Sequence, residues 1–140
     1  MSEPASVHPR TIKIVAALIV DDERRRLLLV RKRGTKAFMQ PGGKLEPGET
    51  DLQALSREVR EELGCGFLLS RAKFLGVFVS AAPNEPGCGG EAALYRVTIT
   101  EAVIPATEIG EAIWILPSDA DEIELAPLTR QFVLPMVCAQ

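Results

Sequence analysis

Three features of the sequence predict an α/β fold with a mixed sheet. β-branched and apolar runs recur at residues 11–20, 26–33, 73–82, 91–100 and 111–116. Residues 50–63 carry helical periodicity with a start and a stop signal at their ends, and the last twenty or so residues look helical in pieces. Strands gathered around two or three helices in this order make an α/β or α+β domain. No internal repeat or low-complexity segment interrupts the pattern.

The elements follow in chain order. Residues 1–10, MSEPASVHPR, read as an N-terminal tail, and residues 11–140 as a single domain. TIKIVAALIV (11–20) is β-branched and apolar, the pattern of a buried strand. DDERR (21–25) is a polar turn, and RLLLVRKR (26–33) a second strand that closes a hairpin. Residues 34–49 form a loop with short extended pieces, since Pro41 and Pro47 forbid a helix through it. Thr50 and Gln53 have the spacing of a capping box, the helix runs to Leu63, and Gly64 suits the left-handed stop. KFLGVFVSAA (73–82) and EAALYRVTIT (91–100) pair across the loop 83–90, and EAIWIL (111–116) is the last strand. Over 118–140, Pro127 and Pro135 interrupt the helical pattern.

Composition removes several kinds of chemistry. The 140 residues suit one domain with a real core, and 46% hydrophobic and 25% charged content is ordinary for a globular chain. A net charge of −3 gives no overall field for nucleic acid, so no stable nucleic-acid complex is expected. Cys65, Cys88 and Cys138 are odd in number and form no CxxC, which points to reduced thiols and a cytoplasmic protein. No apolar leader segment precedes Thr11, and IVAALIV at 14–20 is too short for a bilayer, so no membrane association is expected. His8, the only histidine, lies in the tail. Histidine-based triads and His-rich zinc sites therefore lack their parts, which leaves carboxylates, lysines or a metal-bound water as proton acceptors.

The unusual segment is GGKLEPGETDLQALSREVREELGC, residues 42–65. On a helical wheel Leu52, Leu55, Val59 and Leu63 fall within an arc of roughly 80°, the core stripe. Glu58, Glu61 and Glu62 fall in an arc of about 100° beside that stripe. Two readings are open. Arg57 and Arg60 offer partial neutralisation, so the acids can be a solvated face. Alternatively a hard divalent cation offsets both their repulsion and the unfavourable helix dipole. The preceding glycines are either a tight turn or a backbone that approaches a ligand closely.

The spacing from Gly43 to Cys65 resembles the Nudix box, GX5EX7REUXEEXGU, at every fixed position: Gly43, Glu49, Arg57, Glu58, Val59, Glu61, Glu62, Gly64 and Cys65. Seven invariant residues would coincide by chance with a probability of about 10⁻⁸ to 10⁻⁹ per starting point, which sets coincidence aside. EIGEAIWI (108–115) is similar to a Glu-containing stretch and Trp strand common in the family, so the likeness covers most of the chain.

The resemblance implies a Nudix fold, an α/β/α sandwich with a mixed central sheet, in which the box forms loop–helix–loop. It implies Mg²⁺ or Mn²⁺ held by Glu58, Glu61, Glu62 and a carbonyl of Gly42. It makes Glu58 and Glu61 the first choices for general base, with Arg57 in the catalytic group. Gly43, Glu49 and Gly64 brace the box. Lys44 stands to reach a phosphate, and Arg31 and Arg33 point to the phosphates or form a solvent-facing strand end. Gln40 reads a base or sugar, or caps the turn. Glu85, Glu91, Glu108 and Glu111 are candidates for one further carboxylate, with Glu108 preferred by position. The loop 83–90 is a candidate wall of the substrate pocket.

The implied reaction is hydrolysis of a nucleoside diphosphate linked to a group X, by a monomer or homodimer acting on a nucleotide-like small molecule. A proline some fifteen residues past the box is associated with ADP-ribose enzymes; Pro83 lies 18 residues past Cys65, out of register. X is thus expected to make a nucleoside triphosphate or modified nucleotide, with an ADP-ribose or sugar-nucleotide substrate as the alternative. A non-catalytic nucleotide-sensing domain is disfavoured because all the box glutamates are present. A prenyl-diphosphate isomerase would need a catalytic Cys and Glu that the sequence does not place.

Overall fold

The computed structural model describes residues 11–81 and 89–138. His8, Glu85, Cys88 and most of the expected 83–90 loop lie outside the described residues. Strands are β1 Thr11–Asp21, β2 Arg26–Lys32, β3 Gly42–Lys44, β4 Lys73–Ala81, β5 Gly89–Val97 and β6 Ile109–Ile115; the box helix is α1 Asp51–Leu63. Their order across the sheet is β4-β5-β1-β2-β6, with β3 alongside β1. β1 runs parallel to β5, and the other pairs are antiparallel. The mixed sheet expected from the sequence is thus present; the β1–β5 pairing, between strands far apart in the chain, was not foreseen.

β1 alternates between two cores. Val15, Ala17 and Ile19 pack with Leu28, Val30, Ala54, Leu55, Val59 and Leu63 on the α1 face. Ala16 and Leu18 pack with Leu27, Leu29, Leu94, Leu128 and Val133 on the other. Both faces of the central strand are covered, so its sequence is continuously apolar. The result is the expected α/β/α sandwich.

α1 is capped as its sequence predicts. The Thr50 hydroxyl accepts the Gln53 N–H at 3.2 Å, and the Gln53 side chain accepts the Thr50 N–H at 2.9 Å. Gly64 takes φ +64°, a left-handed conformation that glycine adopts without strain. The final carbonyls are also satisfied: Ile104 N–H donates to Leu63 O at 2.7 Å and Ala106 N–H to Glu62 O at 2.9 Å. The buried stripe is Ala54, Leu55, Val59 and Leu63, while Leu52 is only half-buried, a slight rotation from the predicted face.

The C-terminal segment corrects another expectation. Pro127 opens the helix at its first position, where its missing N–H costs nothing, and Pro135 does not stop it. Thr129–Val133 widens into a π-helix and Leu134–Cys138 continues as α2. Proline lacks an N–H and its ring crowds the carbonyl four residues back; the wider turn, in which Leu134 N–H reaches Thr129 O, accommodates both defects.

Candidate active site

The β1–β2 hairpin is paired only at its turn end, Val20 with Leu27 and Asp21 with Arg26. Further along, the strands diverge and β3 enters beside β1, setting Gly42 against Ala16 and Gly43 against Val15. Both glycines are required there. Gly42 has φ +149°, and a Cβ on it would fall on the Val15 carbonyl. A Cβ on Gly43 would sit 2.5 Å from the carboxyl carbon of Glu58. The bare backbone at Gly43 is what lets the Glu58 carboxylate lie against the sheet.

The three acids of α1 stand at three depths. Glu61 is half-exposed, with 53% of its side chain accessible. Glu58 is at 16% and accepts from Arg57 at 2.9 Å. Glu62 is buried and accepts the Gly42 N–H at 3.3 Å. Burial pushes the Glu62 carboxyl up to about 8; the Gly42 N–H and the Lys32 charge oppose that rise, and the neighbouring Glu58 adds to it. Burying Leu55, Val59 and Leu63 contributes roughly 1.5–3 kcal/mol each, enough to hold this face of α1 down despite the cost of the acid.

On the other side of the same turn the charges are matched. Arg57 grips Glu49 with two hydrogen bonds of 2.8 Å, from Nε and from Nη2, a bidentate fork. It also donates to Lys44 O at 3.2 Å and stands 3.5 Å from Glu61. Arg57 holds the Glu49 carboxyl down at about 2, helped by the Glu46 N–H that Glu49 accepts at 2.8 Å. The Glu49 carboxylate, and after it Glu58, raise the Arg57 pKa in turn, so the guanidinium stays charged. Loop, β3 and α1 are tied through this one side chain.

The structure gathers Gly42, Gly43, Glu49, Arg57, Glu58, Glu61 and Glu62 at one place, with Lys44 exposed on β3 beside them. Gly42 meets Glu62 through its N–H, and Gly64 closes α1 as expected. Other predicted residues are engaged elsewhere. Arg31 donates to Thr35 O at 2.8 Å, pairs with Glu111 at 3.4 Å and lies over the Phe38 ring. It therefore follows Leu27 and Leu29 to the face away from α1. Arg33 Nε donates to Thr107 O at 2.8 Å. Gln40 is buried; its amide donates to Ala17 O and accepts the Thr129 hydroxyl, both at 3.0 Å, which ties it to the core. Glu108 is exposed just before β6, and Glu91 lies in β5 opposite Lys13.

Sequence reasoning missed Lys32. It follows Leu28 and Val30 on the α1 face, and its charge acts on Glu62. Strand alternation carried that signal, since Arg31 and Arg33 share a parity opposite to it.

Among the described residues, no three His, Cys, Asp or Glu side chains already stand at metal-binding geometry. Glu61 turns to Arg57 instead of to its neighbours. The oxygen-only character of the cluster and the buried Glu62 beside Glu58 nonetheless suit a hard divalent cation, the species that relieves two adjacent carboxylates.

An α/β/α sandwich with a glycine loop clamped to an acidic helix is the architecture of a Nudix domain. A family model described as NUDIX domain matches residues 11–134, and the chain belongs to that family. It is 34% identical over 104 residues to the "Putative 8-oxo-dGTP diphosphatase" of Bacillus subtilis (strain 168), an alignment spanning 73% of this chain and 65% of that one. A NUDIX hydrolase from Nitrosomonas europaea superposes with TM-score 0.74 at 28% identity, covering 93% of this chain and 89% of that one. The solution structure of the E. coli ORF135 protein gives TM-score 0.69 at 27% identity, covering 94% and 89%. No helix among the described residues is long and apolar enough to cross a membrane.

Proposed function

We propose that this protein is a Mg²⁺-dependent nucleotide diphosphatase that cleaves the diphosphate linkage of a nucleoside triphosphate or modified nucleotide. The observation that carries this reading is the Glu58–Glu62 pair, lodged against the bare backbone at Gly42 and Gly43. Similarity to the Bacillus subtilis protein makes 8-oxo-dGTP the first substrate to test.

Glu58 and Glu62 would hold the cation, with Glu61 joining by rotating away from Arg57 and a Gly42 carbonyl as a further oxygen. When bound, Mg²⁺ supplies charge neutralisation of the diphosphate and a more acidic attacking water. Arg57, fixed by Glu49, keeps the Glu58 carboxylate oriented. Glu61 is the exposed acid of the three and the best placed to exchange a proton with solvent, so it is the first choice for general base. Lys32 lies on the same face, placed to hold an anionic phosphate near Glu62; Lys44 is the second such cation. Holding charge in a prearranged site is what phosphoryl chemistry chiefly requires.

The test is a panel of nucleoside triphosphates, 8-oxo-dGTP, ADP-ribose and sugar nucleotides with Mg²⁺, read by release of pyrophosphate or nucleoside monophosphate. Turnover of a triphosphate in preference to the sugar nucleotides is expected. No turnover of any diphosphate-linked nucleotide would sink the proposal.

A further inference from the structure

The buried pair Gln40–Thr129 is not explained by the chemistry above. Thr129 is fully buried at the start of the π-helix, on the face of the sheet opposite α1. A threonine in a helix commonly gives its one hydroxyl proton to a carbonyl of its own preceding turn. Here the hydroxyl crosses to Gln40 Oε1 at 3.0 Å, 89 residues away in the chain. Gln40 in turn donates to Ala17 O at 3.0 Å, and the next residue, Pro41, accepts the Ala17 N–H at 2.8 Å. Both backbone groups of Ala17 are thus taken by the two residues that lead into Gly42. The same C-terminal region grips Phe38: Phe38 N–H donates to Glu124 O and Ala126 N–H to Phe38 O, each at 2.8 Å. Beyond Pro41 come the glycine backbone and the Gly42 N–H that meets Glu62.

We infer that Thr129, acting through Gln40, is a positioning residue that fixes the height of the Gly42–Gly43 backbone beneath the glutamates from the far side of the sheet. The inference rests on the reading of Glu58 and Glu62 as a divalent-cation site. The physical reason is economy of partners. If the Thr129 hydroxyl is removed, a buried amide oxygen loses its donor, and the nearest relief is a shift of Gln40. Because Gln40 is one residue from Pro41, such a shift moves the cradle.

The test is Mn²⁺ titration of the full, substrate-free chain by calorimetry, with Tm measured on the same samples. Thr129→Val keeps the volume and drops the hydroxyl; its Mn²⁺ affinity is expected to fall about tenfold, the low end for groups that orient metal ligands. Thr129→Ser restores the donor and is expected to restore the affinity. Val133→Ala, a cavity in the same helix and the same core, is expected to lower Tm while leaving Mn²⁺ affinity unchanged. Glu62→Gln, run in parallel, is expected to lose most of the affinity. Wild-type affinity in Thr129→Val, or an equal loss in Val133→Ala at matched Tm, overturns the positioning role while the cation site stands. Unchanged binding in Glu62→Gln overturns the cation site and this inference with it. Should Thr129→Val not fold, Gln40→Met carries the same two expectations.

Discussion

The two sides of one helical turn treat their acids in opposite ways. At the Glu49–Arg57 clamp every charge has a partner within 2.8 Å, and the Glu49 carboxyl is held at about 2. At the Glu58–Glu62 pair one acid is buried beside another, and the Glu62 carboxyl is pushed up to about 8 by that burial. The clamp belongs to the fold, because it joins the loop, β3 and α1. Glu62 works against the fold as it stands, and acids perturbed in this way gather where a ligand completes the arrangement. The contrast separates bracing residues from reacting ones within a single box.

The largest expected effect breaks the acidic side. Glu61→Gln should lower kcat on the cognate nucleotide by at least about 10², the scale of a lost acid–base group, with Tm nearly unchanged because Glu61 is exposed. Wild-type turnover would remove Glu61 from the mechanism. Breaking the clamp should look different. Arg57→Lys keeps the charge but cannot reproduce the fork, so kcat should fall about tenfold and Tm should fall with it. A variant that lost activity at constant Tm would put Arg57 among the reacting groups.

The parts of this contrast that were legible in the sequence are local ones. The capping box Thr50–Gln53, the stop at Gly64 and the box spacing each depend on residues within a few turns of one another, and all are found as read. What escaped depends on distant partners. Gln40 was open to a substrate role because its partner Thr129 lies far along the chain. Arg31 and Arg33 drew attention over Lys32 because strand parity can be assigned to a face only when the covering helix is known. The irregular register of β2 and β6 beside Arg31 and Lys32 obscures that parity further. The parallel β1–β5 pairing is hidden for the same reason.

Adding the cation should erase the difference between the two sides. If Mg²⁺ at ten times its Kd binds only the folded state, it contributes roughly 1.4 kcal/mol, or several degrees in Tm. Thermal unfolding in EDTA and then in Mg²⁺ at constant ionic strength measures it. Glu62→Gln should lose most of the shift and be slightly more stable than wild type without metal. Glu58→Gln is the less clean variant, because Glu58 also accepts from Arg57 at 2.9 Å and loses part of that bond. Equal Mg²⁺ shifts in wild type and Glu62→Gln would mean that the acids are only a charged face.

The last effect is a pH slope, and its sign distinguishes the two sides. The Glu62 carboxyl is raised from 4.5 to about 8 in the folded protein without metal. Between those values the folded state holds a proton that the unfolded state has released. Stability therefore falls as pH rises through this window, by at most about 1.4 kcal/mol per pH unit from this group. Glu49 behaves in the opposite sense. Its carboxyl is lowered from 4.5 to about 2, so its contribution is fully present above 4.5 and is lost as pH falls toward 2. Metal-free Tm should accordingly decline on both sides of a maximum near the ordinary carboxylate pKa. Glu62→Gln mimics the protonated acid, keeping an acceptor for Gly42 N–H and gaining a donor for Glu58. It should flatten the alkaline limb and leave the acid limb intact. Glu49→Gln should do the reverse. Mg²⁺ competes with the Glu62 proton, so saturating cation should also remove the alkaline decline in wild type. A decline that survives both Glu62→Gln and Mg²⁺ would assign it to another group and dissolve the contrast between clamp and pair.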